Sequence, residues 1–178
     1  MKKSVLFLAC GLLLSLGAMA QAPKFGYINS AELLESMPEI KKANADLEAY
    51  AKSFQDQLQS MGKEYETKMQ AYQATSKTMT EAVKEVKEKE IMDLQNRIES
   101  FNQSAQEKVG KKKEELYKPI LEKADKAIKD VAKEKGYDYV FDSASNFILY
   151  AKETDNVLNL VKAKLGIPVA SAPAAGSK

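Results

Sequence analysis

The chain of 178 residues has no histidine and a single cysteine, Cys10. It therefore lacks the side chain most often used for proton transfer near neutral pH and for binding metal. Cys10 lies in a leader-like N-terminal stretch, so a processed chain would have no thiol for a disulfide, a metal site or nucleophilic catalysis, which suits an oxidising compartment. There is no glycine-rich phosphate loop and no carboxylate run with metal-loop spacing. Ser60-Met61-Gly62-Lys63 fits the Ser-x-x-Lys pattern of serine acyl-transfer enzymes, but no Ser-Asp-Asn or Lys-Thr-Gly partner occurs, and a bare helix offers no oxyanion pocket. Asn102-Gln103-Ser104 matches a glycosylation acceptor but falls inside a helical pattern, where chance accounts for it. No catalytic residue, cofactor or metal is expected. An excess of one charge is also missing: 27 Lys+Arg face 25 Asp+Glu, and 25 face 25 once Lys2 and Lys3 leave with the leader. Strong basicity, the simplest argument for nucleic acid, is absent, and no nucleic-acid partner is expected.

Met1-Lys2-Lys3, the apolar run Val5 to Leu16 and the small residues Ala18-Met19-Ala20 read as a secretory signal peptide over 1–20, cut after Ala20. The run is short for a membrane span, and polar sequence follows at once. A lipid-bearing Cys10 is disfavoured, because only Val5 to Ala9 precede it where a signal core needs about seven apolar residues.

What the chain has in plenty is helical periodicity. Ile40, Ala43, Leu47, Tyr50, Phe54, Leu58, Met61, Tyr65, Met69 and Tyr72 alternate steps of three and four, which puts them on one narrow face of a helix. Val83, Val86, Leu94, Ile98, Phe101, Ala105, Val109 and Leu116 repeat that rhythm. Thr75 to Thr80, poor in helix formers, lies between the two runs as a tip. Pro38 and Pro119 should each break or bend a helix, and their midpoint falls inside that tip, so they mark the base of a hairpin and face each other there. Each arm would reach about 55 Å. Glu64 with Lys68, Glu85 with Lys89, Glu107 with Lys111 and Glu114 with Lys118 stand in the favourable i,i+4 order and should support the exposed helices. Gly62 and Gly110 are either flexing points or tolerated glycines.

Around the arm, Phe25 to Ile28 reads as a strand with Phe25 and Tyr27 on one face. Asn29 caps a short helix, with Glu32 placed to return its carboxylate to the cap. Beyond Pro119 a kinked helix carries Ile120, Leu121, Ala124, Ile128 and Val131 to Gly136. Tyr137–Asp142 and Phe147–Ala151, joined by Ser143-Ala144-Ser145-Asn146, read as a β-hairpin. A last helix starts near Thr154 or Asp155 and stops at Gly166. The division is thus a leader at 1–20, a discontinuous body at 21–38 and 119–168, an arm at 39–118 and an unpatterned, disordered tail at 169–178. The fold class is α+β, predominantly α: a long antiparallel helical hairpin on a small β-sheet. Three short strands leave exposed edges and little core, which points to a closed homo-oligomer built on Phe25, Tyr27, Ile28, Tyr139, Val140, Phe141, Ile148, Leu149 and Tyr150.

The residues Phe25-Gly26-Tyr27-Ile28-Asn29, Ser30-Ala31-Glu32-Leu33-Leu34, Pro38, Lys118-Pro119-Ile120 and Gly136-Tyr137-Asp138-Tyr139-Val140-Phe141-Asp142 make the chain resemble the OmpH family of periplasmic chaperones for outer-membrane proteins. The resemblance covers nearly the whole chain after the leader, although only the two strand segments are specific. It implies a trimer with a central β-barrel and three hairpins hanging from it like tentacles. It also implies an ATP-independent holdase that keeps unfolded outer-membrane β-barrel chains in the cavity between the arms. One departure stands out: the best-known member is strongly basic, whereas this chain is neutral by count, so contact with anionic membrane surfaces has no support from charge. The lysines from Lys108 to Lys118 are interleaved with Glu107, Glu114 and Glu115 and read as a solvated face.

Unfolded clients would be met by adaptable apolar side chains. Methionine is flexible and polarisable, so Met61, Met69, Met79 and Met92 with Tyr65, Tyr72, Val83 and Val86 form the candidate client surface. Met61, Tyr65, Met69 and Tyr72 continue the stripe and belong first to the seam between the helices. Met79, at the tip, is the one of these expected to be exposed. The rival reading is a structural or adaptor coiled coil of the cell envelope that binds folded partners, favoured by the neutral, regular seam.

Overall fold

A computed structural model of the chain describes residues 22–145 and 147–169. The leader at 1–20 and the tail beyond Val169 lie outside the described residues. Strand β1, Phe25–Ile28, leads into helix α1, Ser30–Ser36. Asn29 caps α1 by accepting the Glu32 N–H at 3.1 Å. The reverse half of the capping box does not form: the Glu32 carboxylate turns away and pairs with Lys162 at 2.9 Å. Met37 is extended, φ −78° and ψ 124°, as a residue before proline must be, and helix α2, Pro38–Thr75, opens at Pro38 where no backbone N–H is needed.

Helix α2 turns over at Ser76–Thr80 and the chain returns as α3, Glu81–Lys135. Their 38 and 55 residues correspond to about 57 and 83 Å. Helix α3 ends where Gly136 takes φ +67°, with Tyr137 N–H donating to Ala132 O at 2.9 Å; this left-handed cap suits glycine. Strand β2, Tyr139–Asp142, then pairs in parallel with β1, Phe25 opposite Tyr139 through Ile28 opposite Asp142. A 3-10 turn, Glu153–Asp155, and the short helix α4, Leu158–Lys164, complete the body. On the other side of β1, Val157 N–H donates to Tyr27 O at 2.9 Å. Gly26 sits where these elements converge: a Cβ there would lie 3.0 Å from the Tyr137 ring and 3.2 Å from Val157.

The core gathers at the base of the hairpin. Ile28, Leu33, Met37, Ile40, Ile120, Ala124, Ala127, Val131, Val157, Leu158 and Val161 pack there, and Leu33, Met37, Val157 and Val161 are fully buried. Burying a side chain of this kind is worth about 1.5–3 kcal/mol, so most of the stability resides at this end. Along the arm beyond Ala43, only Ile91, Leu94 and Ala105 are buried among the described residues. The seam is held instead by half-buried contacts and cross-helix polar pairs: Phe54 with Phe101 at 5.9 Å between ring centroids, Tyr117 with Asn44, Tyr72 with Glu88, and Lys68 with Glu90 at 3.4 Å.

Several expectations are corrected. The β-hairpin does not form: the sheet has two parallel strands, and 147–151 carries no strand. Ser143 N–H donates to Ile28 O and Asp142 accepts the Ala144 N–H, so the chain leaves β2 along β1 rather than folding back. Within one chain, 147–151 has no second layer to bury against, and an added edge strand would have little to hold it. The helix expected to continue past Pro119 to Gly136 does so, with Pro119 inside α3. Glu39, next to Pro38, pairs with Lys123, one helical turn beyond Pro119 in sequence. The last helix begins at Leu158, after Asn156 accepts the Leu158 N–H at 3.0 Å. None of the four proposed i,i+4 ion pairs forms. The observed ones are Lys52–Asp56, Lys126–Asp130 and Asp125–Lys129, while Lys68 reaches across the seam instead.

Candidate functional site

The strands alternate, so one sheet face meets the core and the other is open. Ile28 and Val140 belong to the core side, with Ile28 buried and Val140 packed against the cluster. Ile28, named in the oligomerisation set, has its side chain buried within its own chain. On the open face Phe25, Tyr139 and Phe141 stack into a ladder, with ring centroids 5.6 to 6.3 Å apart and interplanar angles of 17° to 29°. These rings are 48, 58 and 49 % exposed. Phe147, Leu149 and Tyr150 are more exposed still, Leu149 at 96 %, while Ile148 is half-buried. Tyr27 is also half-buried and its hydroxyl donates to Glu153 at 3.3 Å; burial and the Glu153 charge push its phenol up. So much exposed aromatic surface beside a small core is what an interaction face looks like.

Asp142 ties this face to α1 by accepting from the Ser30 N–H at 3.1 Å, the Ser30 hydroxyl at 2.6 Å and the Ala144 N–H at 3.0 Å. Burial alone would raise its carboxyl, but these hydrogen bonds prevail and hold it below the usual carboxylate range.

On the arm, Met61, Tyr65, Met69 and Tyr72 are half-buried along the seam. Met79 is half-buried too, lining a pocket of about 270 Å³ under the tip with Ala71, Tyr72 and Ile91. The expectation that Met79 is exposed is corrected: the tip folds it inward to half-burial, and Val83, Val86 and Met92 are the exposed large apolar residues of the outer arm. Polar contacts fasten this end. Lys87 and then Lys68 hold the Glu90 carboxyl below its ordinary range, and the hydrogen bond to Glu88 raises the Tyr72 phenol.

Sequence reasoning missed two grooves. One, of about 510 Å³, exposes Leu121 beside Tyr117 and Gly110 at the arm base. The signal was present, since adjacent Ile120 and Leu121 lie about 100° apart on a helix, so burying Ile120 can turn Leu121 outward. The other, of about 660 Å³, lies at mid-arm, where Gln57, Asp93, Asn96 and Arg97 surround Met61 and Phe101 and no motif flags the polar residues. Among the described residues no His, Cys, Asp and Glu group is placed to hold a metal, and no helix is long and apolar enough to cross a membrane.

Comparison with known proteins accounts for this architecture. The family profile "Outer membrane protein (OmpH-like)" matches residues 24–165, from β1 through α4. The chain belongs to the OmpH-like family. A relative from Pectobacterium atrosepticum, named Chaperone protein Skp, is 30 % identical over 165 residues, covering 91 % of this chain and all of the relative. Another of that name, from Yersinia enterocolitica, is 28 % identical over 157 residues, covering 88 % of this chain and 94 % of the relative. In fold, a solved OmpH-like chain from Caulobacter crescentus superposes with a TM-score of 0.70 at 16 % identity, covering 84 % of this chain and 88 % of that one. The predominantly helical fold with a small two-stranded sheet is that of the OmpH-like family.

Proposed function

We propose that this OmpH-like chain is a periplasmic, ATP-independent holdase, exported by its leader, that keeps unfolded outer-membrane β-barrel chains soluble. Its subunits would join as a trimer through Phe25, Tyr27, Tyr139, Val140, Phe141, Ile148, Leu149 and Tyr150, leaving three arms around a cavity. Pro38 and Pro119 would set the base of each arm. Clients would meet Val83 and Val86 directly, and Met61, Tyr65, Met69, Tyr72 and Met79 as the seam loosens. The observation that carries this reading is the division of burial: a core confined to the base, and an arm more than 50 Å long whose apolar residues are mostly half-covered. Such an arm opens locally at little cost and offers many weak contacts, which hold a non-native chain and release it without a nucleotide cycle. Relatives named as chaperones along almost the whole length support it. No catalytic role is proposed.

An adaptor that spaces envelope components is the second reading, favoured by the cross-helix pairs Tyr117–Asn44 and Lys68–Glu90, which make the seam look fixed. Light scattering on the mature protein separates the two, alone and with a urea-unfolded outer-membrane barrel protein diluted into it. A trimer that takes the client into one soluble species supports the holdase. A monomer, or a trimer indifferent to the unfolded chain, moves the assignment to the adaptor.

A further inference from the structure

The mid-arm groove brings polar side chains of both helices together over apolar ones. This groove of about 660 Å³ is walled by Gln57 of one helix and by Asp93, Asn96 and Arg97 of the other, over a floor that includes Met61 and Phe101. Arg97 is the chain's only arginine. Among the described residues none of the four wall side chains has a hydrogen bond or ion pair to another protein group, although neighbours such as Lys52–Asp56 and Gln106–Asn102 do. We infer that this groove docks the main chain of an extended polypeptide segment. The inference rests on the chaperone reading and names how part of a client is held.

Three features of the site favour that occupant. A glutamine or asparagine side chain carries both a donor and an acceptor, so Gln57 and Asn96 can each bond the N–H and C=O that a peptide backbone presents side by side. Arg97 adds donors and Asp93 acceptors, which matches a ligand edge offering both kinds of group. Spacing also agrees. Residues four apart on a helix, as Asp93 and Arg97 or Gln57 and Met61 are, lie about 6 Å apart along the axis, close to the roughly 6.6 Å between alternate residues of an extended strand. Met61 and Phe101 can then receive apolar side chains from the strand face turned toward the floor. The volume lies within the range of ligand-sized sites. Recognition through the backbone is indifferent to most side chains, as a protein with varied unfolded clients requires.

The test uses the full mature protein and a fluorescent peptide of alternating valine and threonine, with a twin methylated on its valine amides to remove main-chain donors. Binding is expected to weaken about tenfold for the methylated twin on the wild-type protein, and about tenfold for the parent peptide on the Gln57→Leu, Asn96→Leu double variant. The leucines enlarge the apolar surface, so a site driven only by apolar contact would bind as tightly or more tightly. That result, or equal binding of the two peptides, or no binding of the parent peptide to the wild-type protein, overturns the inference. Both positions are exposed, and circular dichroism checks that helix content is kept. Suppression of aggregation of an unfolded barrel protein, measured alongside, reports on the chaperone reading separately.

Discussion

Replacing Phe141 with serine should dissociate the proposed trimer and leave each hairpin folded. Phe141 is 49 % exposed in the single chain, so of the roughly 200 Å² that an aromatic side chain can bury, about 100 Å² remains open to a neighbouring subunit. At about 25 cal/mol per Å² that share is worth about 2.5 kcal/mol per subunit, and about 7 kcal/mol over a trimer. Such a loss corresponds to about five orders of magnitude in the dissociation constant. The half already covered stacks on Phe25 at 6.1 Å, outside the buried core at the hairpin base, so the body loses at most a similar amount per chain. The assay is light scattering across a dilution series, with far-ultraviolet circular dichroism at each concentration. The variant is expected to be a helical monomer at concentrations where the wild type forms the proposed trimer. A variant that stays trimeric at micromolar concentration would refute the aromatic face as the contact. One that unfolds before it dissociates would show that the face belongs to the body's own stability.

Gly62→Ala and Gly110→Ala should each stabilise the arm by about 1 kcal/mol, because both lie in helices with nothing within 4 Å of the added Cβ; thermal melting checks this, and a lower Tm in either would mark that glycine as a place where the helix departs from regular geometry. Gly26→Ala should cost about 1–3 kcal/mol, since its Cβ would press on the Tyr137 ring and Val157, and denaturant unfolding will show no change if the body can move apart there. The carboxyls of Asp142 and Glu90 are held low in the folded chain, so their stabilisation is complete above the unfolded carboxylate range and disappears as pH falls through the folded values. Asp142→Asn should therefore cost about 1 kcal/mol or less at neutral pH and flatten the acid limb of the stability curve, read from urea midpoints against pH; an unchanged acid limb would rule Asp142 out as a contributor.

Much of the backbone was legible because its signals are local. The alternating steps from Ile40 to Tyr72 specify a helix wherever they occur, Pro38 forbids helix at Met37 by steric contact alone, and Gly136 is the residue that a left-handed cap favours. Thr75 to Thr80 combine low helix propensity with a break in the apolar rhythm, and the turn lies there. The candidate site was legible in part. Phe25, Tyr139 and Phe141 could be picked out as aromatic strand residues, but that they stack on the open face depends on the parallel register of β1 and β2. The strands are separated by the whole hairpin, and no local pattern encodes which of their edges meet.

Periodicity, capping and proline sterics thus determined by sequence alone that the chain is a long helical hairpin on a small body. Tertiary structure decided everything that depends on which distant groups become neighbours. Glu32 could return to its cap or reach Lys162, and Lys68 could pair along its own helix or cross to Glu90; the packing of the elements chose the longer reach each time. It drew Met79 under the tip, left Val86 at 55 % exposure, and held 147–151 off the sheet for want of a second layer. The physical reason is the same throughout. Local conformation is set by steric and hydrogen-bonding limits within a few residues, whereas exposure and pairing are set by competition among contacts of similar energy, which only the assembled fold resolves.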